Sequence, residues 1–281
     1  MGCRHGLLRR VLRMVCAATV VGAAHASGRA PADVLEAGPP GKPEGPHIPE
    51  PLLFDLVRPL GARKGELEAN VVGLVPLRRT RNGAGQASDE LGLVPLSLDT
   101  SQTEWAPEIE YAIRDGLALE LEFPFEGTRL EAVKFAVQYT IGTAFEGQYI
   151  HGVQTIAERA VNSTATTWVA LYLGGWRFTP HWSLLGMWGV AHETGAGAGG
   201  EGGDRTQFLQ NLTLFYELTD RLHFGVETNL AVSGRAFTTL LVLPQLQYDF
   251  GRHFSLQVGL GVARSESKLL PEAAFRVIFA N

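Results

Sequence analysis

The stretch that predicts the fold covers residues 108–123 and reads EIEYAIRDGLALELEF. Apolar and charged residues alternate on both sides of a short turn, which is the period of a β-strand with one apolar face. We place a three-residue turn at residues 114–116, because a two-residue turn would put apolar residues opposite charged ones. All apolar residues then share one face, and the other face carries four glutamates: Glu108, Glu110, Glu120 and Glu122.

The same construction recurs further along the chain, around three-residue turns at 179–181, 219–221 and 251–253. Apolar residues continue to face one another beside these turns, as Tyr216 faces Phe224 and Tyr248 faces Leu256. One further segment, 147–157, alternates poorly, and residues 155–161 are also compatible with a helix. The alternation as a whole predicts these strands: 65–77, 104–113, 117–125, 129–140, 147–157, 165–178, 182–193, 206–218, 222–232, 237–250, 254–264 and 271–280.

This order of strands predicts an all-β fold, a closed antiparallel up-and-down transmembrane β-barrel of about 12 strands. With an even number of strands, the tight turns and both chain ends lie at one end of the barrel. The connections at the other end vary in length and cover residues 78–103, 194–205 and 233–236.

The residues on each face favour a membrane barrel over a soluble sandwich. The apolar face is rich in Leu, Val, Phe, Tyr and Trp, and aromatic residues gather beside the tight turns, where a membrane interface would lie. The other face carries acids and amides beside Gly and Ala, which suits a narrow lumen. A soluble periplasmic β-domain with core aromatics is the alternative. The predicted lumen-lining residues are Glu108, Glu110, Glu120, Glu122, Lys134, Gln138, Glu227, Asn229 and Arg276.

Inside this lumen we expect a charge-paired row. Glu110 and Glu120 lie opposite each other across the first hairpin, where like charges are destabilising unless something intervenes. A three-residue turn at 126–128 would put Lys134 opposite Glu120. We therefore predict a row of Glu110, Glu120 and Lys134 that serves packing and pore electrostatics.

The composition excludes several other classes of protein. The 281 residues carry a formal net charge of -5, without the clustered Lys/Arg surface that nucleic-acid binding requires. Mean hydropathy is +0.04. Away from the N-terminus, no stretch of the sequence is long and apolar enough for a membrane helix.

The N-terminus has the features of a secretory leader. Residues 1–26 combine several arginines, a short apolar run and a small-x-small site at residues 24–26, which predicts cleavage before Ser27 and export. Both cysteines, Cys3 and Cys16, fall in this leader. We expect a Pro-rich periplasmic arm or linker over residues 27–62, and a barrel in the cell outer membrane over residues 63–281.

No combination of residues in the sequence predicts catalysis. The histidines lack metal-ligand spacing, and no nucleophile accompanies the acidic pair on the first hairpin. Ser183 and His192 share a strand but lie far apart and on opposite faces. The glycine-rich run 195–203 lacks the Lys-Ser/Thr ending of a phosphate-binding loop, so we interpret it as a plain loop. We expect no enzyme activity, no metal and no other cofactor.

Residues 107–117 (PEIEYAIRDGL), 119–122 (LELE) and 134–140 resemble a bacterial barrel family, that of the MetA pathway of phenol degradation, and its uncharacterised transporter-like relatives. The resemblance covers residues 65–281 and implies an outer-membrane barrel that helps small apolar or aromatic compounds across. It carries over no catalytic residue. The last strand, which alternates up to Phe279, resembles the C-terminal assembly signal of outer-membrane barrels, although Ala280 and Asn281 follow the aromatic residue.

The function predicted from the sequence is passage of a small solute through an outer-membrane barrel. The expected partners are outer-membrane lipids, the barrel-assembly machinery and the small-molecule solute, and not nucleic acid. Two other functions stay open. One is a membrane-embedded lipid hydrolase, and the other is a non-conducting structural or interaction barrel whose lumen is filled by its own side chains or by the Pro-rich arm.

Overall fold

The computed structural model describes residues 45–53, 56–77, 103–195, 205–233, 238–265 and 268–281. The predicted leader, the first part of the Pro-rich arm and most of the three variable loops lie outside the described residues. The described residues form these strands: β1 (Leu67–Pro76), β2 (Glu104–Arg114), β3 (Leu117–Glu122), β4 (Phe125–Glu126), β5 (Arg129–Leu130), β6 (Ala132–Ala144), β7 (Tyr149–Ala160), β8 (Thr166–Arg177), β9 (Trp182–Thr194), β10 (Arg205–Thr219), β11 (Leu222–Ser233), β12 (Thr238–Asp249), β13 (Phe254–Ser265) and β14 (Lys268–Ala280).

The strands close into a barrel. The long strands pair antiparallel with their neighbours in chain order, and β1 pairs with both β2 and β14, which joins the two edges of the sheet. β4 and β5 have two residues each and form a side hairpin on β2, so the remaining twelve strands make the wall. The predicted closed antiparallel barrel of twelve strands is therefore confirmed.

Strand β7 covers the segment for which the sequence allowed either a strand or a helix. It runs without interruption to Ala160, so residues 155–160 form a strand and the helical alternative is wrong. In the part of the chain that the structure describes, no helix has both the length and the apolar character needed to cross a membrane.

The tight turns have the predicted register. Glu110 lies opposite Glu120 in the first hairpin, and the turn contains Gly116 at a φ of 72°, a conformation that favours glycine. The pairs predicted around the later turns are present as well, including Tyr216 with Phe224. We call the end of the barrel that carries these turns the turn end, and the opposite end the loop end.

The prediction that Lys134 lies opposite Glu120 is wrong. Lys134 lies opposite Glu122, and Glu120 lies opposite Ala136, a difference of two residues. The cause is the side hairpin β4–β5, which occupies residues that were expected to continue two wall strands and form one simple turn.

Aromatic stacking holds this side hairpin against β2. The rings of Trp105 and Phe125 stack with centroids 4.5 Å apart. The indole N–H of Trp105 also donates a hydrogen bond to the carbonyl oxygen of Gly127, at 2.8 Å. These contacts fix the hairpin and therefore the shifted register of β6.

Large apolar side chains alternate outward along the wall and remain exposed, as at Trp168, Val190, Phe208 and Leu260. The inner face is less uniformly polar than the sequence predicts. On β8 and β9 it carries a group of buried apolar side chains: Val169, Leu171, Leu173, Leu185 and Met187. Both faces of these two strands are thus apolar. The side chains on the inner face pack against a chain segment that precedes β1 and is described in the next section.

Candidate functional site

Part of the region predicted as a Pro-rich arm lies inside the barrel. We call residues 45–53 and 56–61 the inner segment. Leu52 and Val57 are 0% exposed. Leu52 packs with Leu243 of β12, whereas Val57 belongs to the apolar group of β8 and β9. The inner segment therefore fills space at the centre of the barrel.

The inner segment enters and leaves the barrel at the turn end. On the way in, Arg177, the last residue of β8, donates hydrogen bonds to the carbonyl oxygen of His47. On the way out, the backbone N–H of Gly61 donates to the hydroxyl of Thr140, at 2.9 Å. Between these points, the segment reaches the middle of β11. It is therefore a loop that dips into the barrel from one end.

Glu227 of β11 binds the deepest described part of this loop. One of its carboxylate oxygens accepts hydrogen bonds from the backbone N–H groups of Leu52 and Leu53, at 2.9 and 3.1 Å. Asn229 and Gln245 donate to the same carboxylate, at 2.9 and 3.3 Å. The Glu227 side chain is fully buried. The inner segment thus supplies half of the donors that stabilise this carboxylate.

Amide side chains of the wall hold the inner segment at further points. Gln138 donates to the carbonyl oxygen of Arg58 at 2.6 Å, and Gln257 donates to that of Glu50 at 2.9 Å. Gln154 accepts a hydrogen bond from the backbone N–H of Val57, at 3.4 Å. Each of these side chains satisfies a backbone group that has no partner in a strand ladder.

The charged residues collect on β1, β2 and β14. The guanidinium of Arg276 lies within 4.0 Å of four carboxylates, those of Glu50, Glu68, Glu108 and Glu110, at 3.3 to 3.8 Å. Arg58 of the inner segment forms a second ion pair with Glu68. Burying so many acids is tolerable only with such cations between them.

Lys134 and Glu122 form a separate buried pair. The ammonium nitrogen lies 2.8 Å from a carboxylate oxygen, and the two side chains are 2% and 4% exposed. Lys134 thus pairs with the glutamate that lies opposite it on β3, which is Glu122 and not the predicted Glu120.

Carboxylate oxygens of Glu108, Glu110 and Glu120 lie within 4.8 Å of one another, which is compatible in distance with a metal site. Arg276 contacts two of these glutamates, Glu108 and Glu110. The positive charge that the cluster requires is thus supplied by the protein itself, and the cluster is better described as an ion-pair network.

The predicted lumen residues all lie on the inner side of the wall. Eight are buried and Glu108 is half-buried. Glu227, Gln138 and Arg276 contact the inner segment directly. That the nine line a solute passage stays a prediction. Sequence reasoning missed Arg58, Glu68 and Asn70, although the alternation of β1 places the last two on the polar face.

A cavity of about 370 Å³ lies at the turn end, between the inner segment and the wall. Ile48 and Leu60 line it from the inner segment, and Ile150 and Leu185 line it from the wall. Arg58 adds a charged group. The cavity is thus a recess of mixed character, with charged groups that include Arg63 and Glu66 beside the apolar side chains.

The residues considered for hydrolysis do not form a catalytic pair. Ser183 is fully buried inside the barrel, whereas His192 is half-buried and its ring contacts the hydroxyl of Thr206, at 2.9 Å. Among the described residues, no serine hydroxyl forms a hydrogen bond with a histidine ring. Activation of a serine nucleophile by a histidine base requires such a contact.

Fold and interior together define a porin-like barrel. A search of solved structures finds the NanC porin (TM-score 0.54, 12% identity, 76% of this chain and 98% of that chain). The KdgM porin has a TM-score of 0.52 at 9% identity, with coverage of 75% and 98%. An outer membrane channel from Pseudomonas putida F1 has a TM-score of 0.54 at 12% identity, with coverage of 79% and 97%. At these identities the likeness concerns the fold.

The chain belongs to the HAEPLYID-like family, whose model matches residues 46–280. The resemblance to the MetA-pathway family is not confirmed, because the matching model is a different one. No curated protein gives a significant sequence match.

The matched region includes the inner segment as well as the whole wall. Read as one-letter residue symbols, the family name ends in EPLYID, and residues 50–55 read EPLLFD. The two strings agree at Glu50, Pro51, Leu52 and Asp55. The family model thus covers the part of the chain that contacts Glu227.

Proposed function

We propose that the protein resides in the bacterial outer membrane and lets small solutes cross it through the barrel interior. The observation that carries this proposal is the belt of exposed apolar side chains around a closed barrel with buried polar groups inside. In water such a belt would drive association, whereas in a lipid bilayer it is stable. The fold shared with porins supports the same function.

The proposed solute is small and apolar or aromatic. The apolar inner faces of β8 and β9 support this class, because apolar walls bind apolar molecules without loss of hydrogen bonds. We further propose that outer-membrane lipids contact the exposed belt and that the barrel-assembly machinery inserts the chain.

A second candidate function is a non-conducting barrel that serves as a structural or interaction unit. The inner segment favours it, because Leu52, Leu53, Leu56 and Val57 are buried in the barrel and obstruct a straight passage. The two functions differ in whether any solute crosses the membrane.

Fractionation tests the location first. We expect the protein in the outer-membrane fraction and a gel mobility that changes on heating, as a closed barrel unfolds only then. Recovery in the soluble periplasmic fraction would refute the proposal.

Vesicles reconstituted with the full-length protein test transport. We expect a small aromatic solute, such as phenol or a nitrophenol, to enter these vesicles faster than vesicles with heat-denatured protein. Equal rates for a series of small aromatic, apolar and polar solutes would favour the non-conducting barrel.

A further inference from the structure

We propose that the inner segment is a releasable gate and that Glu227 is the latch that holds it closed. The inference rests on the proposed transport function. It concerns how the passage opens, and it assigns a role to the buried carboxylate of Glu227.

The way the inner segment is attached points to a gate and not to a permanent filling. The described residues of the inner segment form no ladder pair with the wall; ion pairs of Glu50 and Arg58, hydrogen bonds with wall side chains and apolar contacts hold them in place. Pro46, Pro49, Pro51 and Pro59 lack the N–H group that a ladder requires. The barrel can therefore keep all its strand pairs when the segment leaves.

The path of the inner segment allows it to leave. Both of its ends lie at the turn end, so withdrawal needs no threading of the chain through the barrel. Only the tip, around Leu52 and Leu53, has to travel from the middle of the barrel.

The wall side chains that bind the inner segment are polar and can be hydrated when the segment leaves. Gln138, Gln154, Glu227 and Gln257 bind its backbone in the closed state, and all four would be hydrated in an open lumen. Release of the segment therefore leaves none of these wall side chains without a hydrogen-bond partner.

Glu227 carries the largest part of this attachment at the tip. It accepts both backbone N–H groups of the two buried leucines, and bonds to a carboxylate are stronger than bonds between neutral groups. In E227L both N–H groups lose their acceptor in the closed state, whereas water satisfies them in the open state. The substitution therefore favours release.

Thiol labelling tests release without relying on transport. The chain has no cysteine after residue 16, so L53C provides a single buried thiol once the predicted leader is removed. We expect a membrane-impermeant maleimide to label L53C at least about tenfold faster in the E227L background than with Glu227 in place. The reason is that each buried donor left without an acceptor shifts the equilibrium between the closed and the open state by about that factor. The matched control is E272L, which removes a buried inner glutamate that forms no hydrogen bond with the described inner segment.

A reversible crosslink tests the gate by conductance. A Cβ atom built on Gly259 would lie 2.9 Å from a methyl carbon of Leu52, which places a disulfide between L52C and G259C within reach. In planar bilayers we expect the oxidised pair to stay closed and reducing agent to restore openings. Heat-dependent gel mobility verifies that each variant folds.

The outcomes separate the gate from the transport function. Equal labelling in E227L and E272L, or equal conductance of the oxidised and reduced pair, would overturn the gate while leaving transport intact. Faster labelling in E227L without conductance in any variant would overturn transport and keep the release of the segment.

Discussion

The ion pair between Lys134 and Glu122 provides the most direct test of the barrel register. The two charged atoms are 2.8 Å apart and both side chains are almost completely buried. Replacing Lys134 by methionine keeps the length of the side chain but leaves Glu122 as a buried charge that has lost this cation. Removing one partner of such a pair costs about 3–5 kcal/mol in free energy of unfolding.

A double-mutant cycle identifies the partner. We expect E122Q to recover most of the loss in K134M, with a coupling energy of at least about 2 kcal/mol. The register expected from a simple turn would instead make Glu120 the partner. In that register Glu122 would not lie opposite Lys134, and E122Q would recover less than about 1 kcal/mol in the K134M background.

Urea unfolding of the refolded barrel in detergent micelles, followed by tryptophan fluorescence and by the gel shift, measures these energies. The swapped variant K134E/E122K serves as a control, since it keeps both charges. If E122Q failed to rescue K134M, the register described for β3 and β6 would be refuted.

Two further predictions concern the wall. A Cβ atom on Gly189 would lie 1.9 Å from the backbone oxygen of Ala170, so we expect G189A to lower the free energy of unfolding by more than about 2 kcal/mol. G142A, at a position with open space, should change it by less than about 1 kcal/mol; similar losses in the two variants would contradict the packing. In lipid vesicles, L260R at mid-strand should cost about 2–4 kcal/mol and L218R at the turn end about 0–1 kcal/mol. Equal costs would argue against a bilayer around this belt.

The hairpins could be predicted from the sequence because everything that fixes them is local. In residues 108–123, alternation gives the face of each residue and the turn gives the register. The pairing of Glu110 with Glu120 follows from these alone. The same reasoning works for the later turns, since each joins two strands of strong alternation.

The shifted register of β6 could not be predicted in this way. It depends on stacking between Trp105 and Phe125, which are separated by a complete hairpin in sequence. The alternation of residues 117–140 fits two arrangements equally well. In one, two wall strands are joined by a single turn; in the other, a side hairpin lies between the two wall strands.

The position of the inner segment inside the barrel could not be predicted from the sequence either. Prolines and glycines remove periodicity, so the segment has the composition of a linker. Its main partner, Glu227, is 175 positions away from Leu52. The apolar inner faces of β8 and β9 were a signal, because a water-filled lumen gives no reason for Leu171 and Met187 to point inward.

The separation between ladder and inner segment has a consequence for protein engineering. Backbone hydrogen bonds between strands maintain the wall, whereas a small set of wall side chains binds the inner segment. The two parts can therefore be redesigned independently. A foreign peptide of similar length, such as one that folds around an analyte, could replace the native residues without a change in any strand and turn the barrel into a sensor.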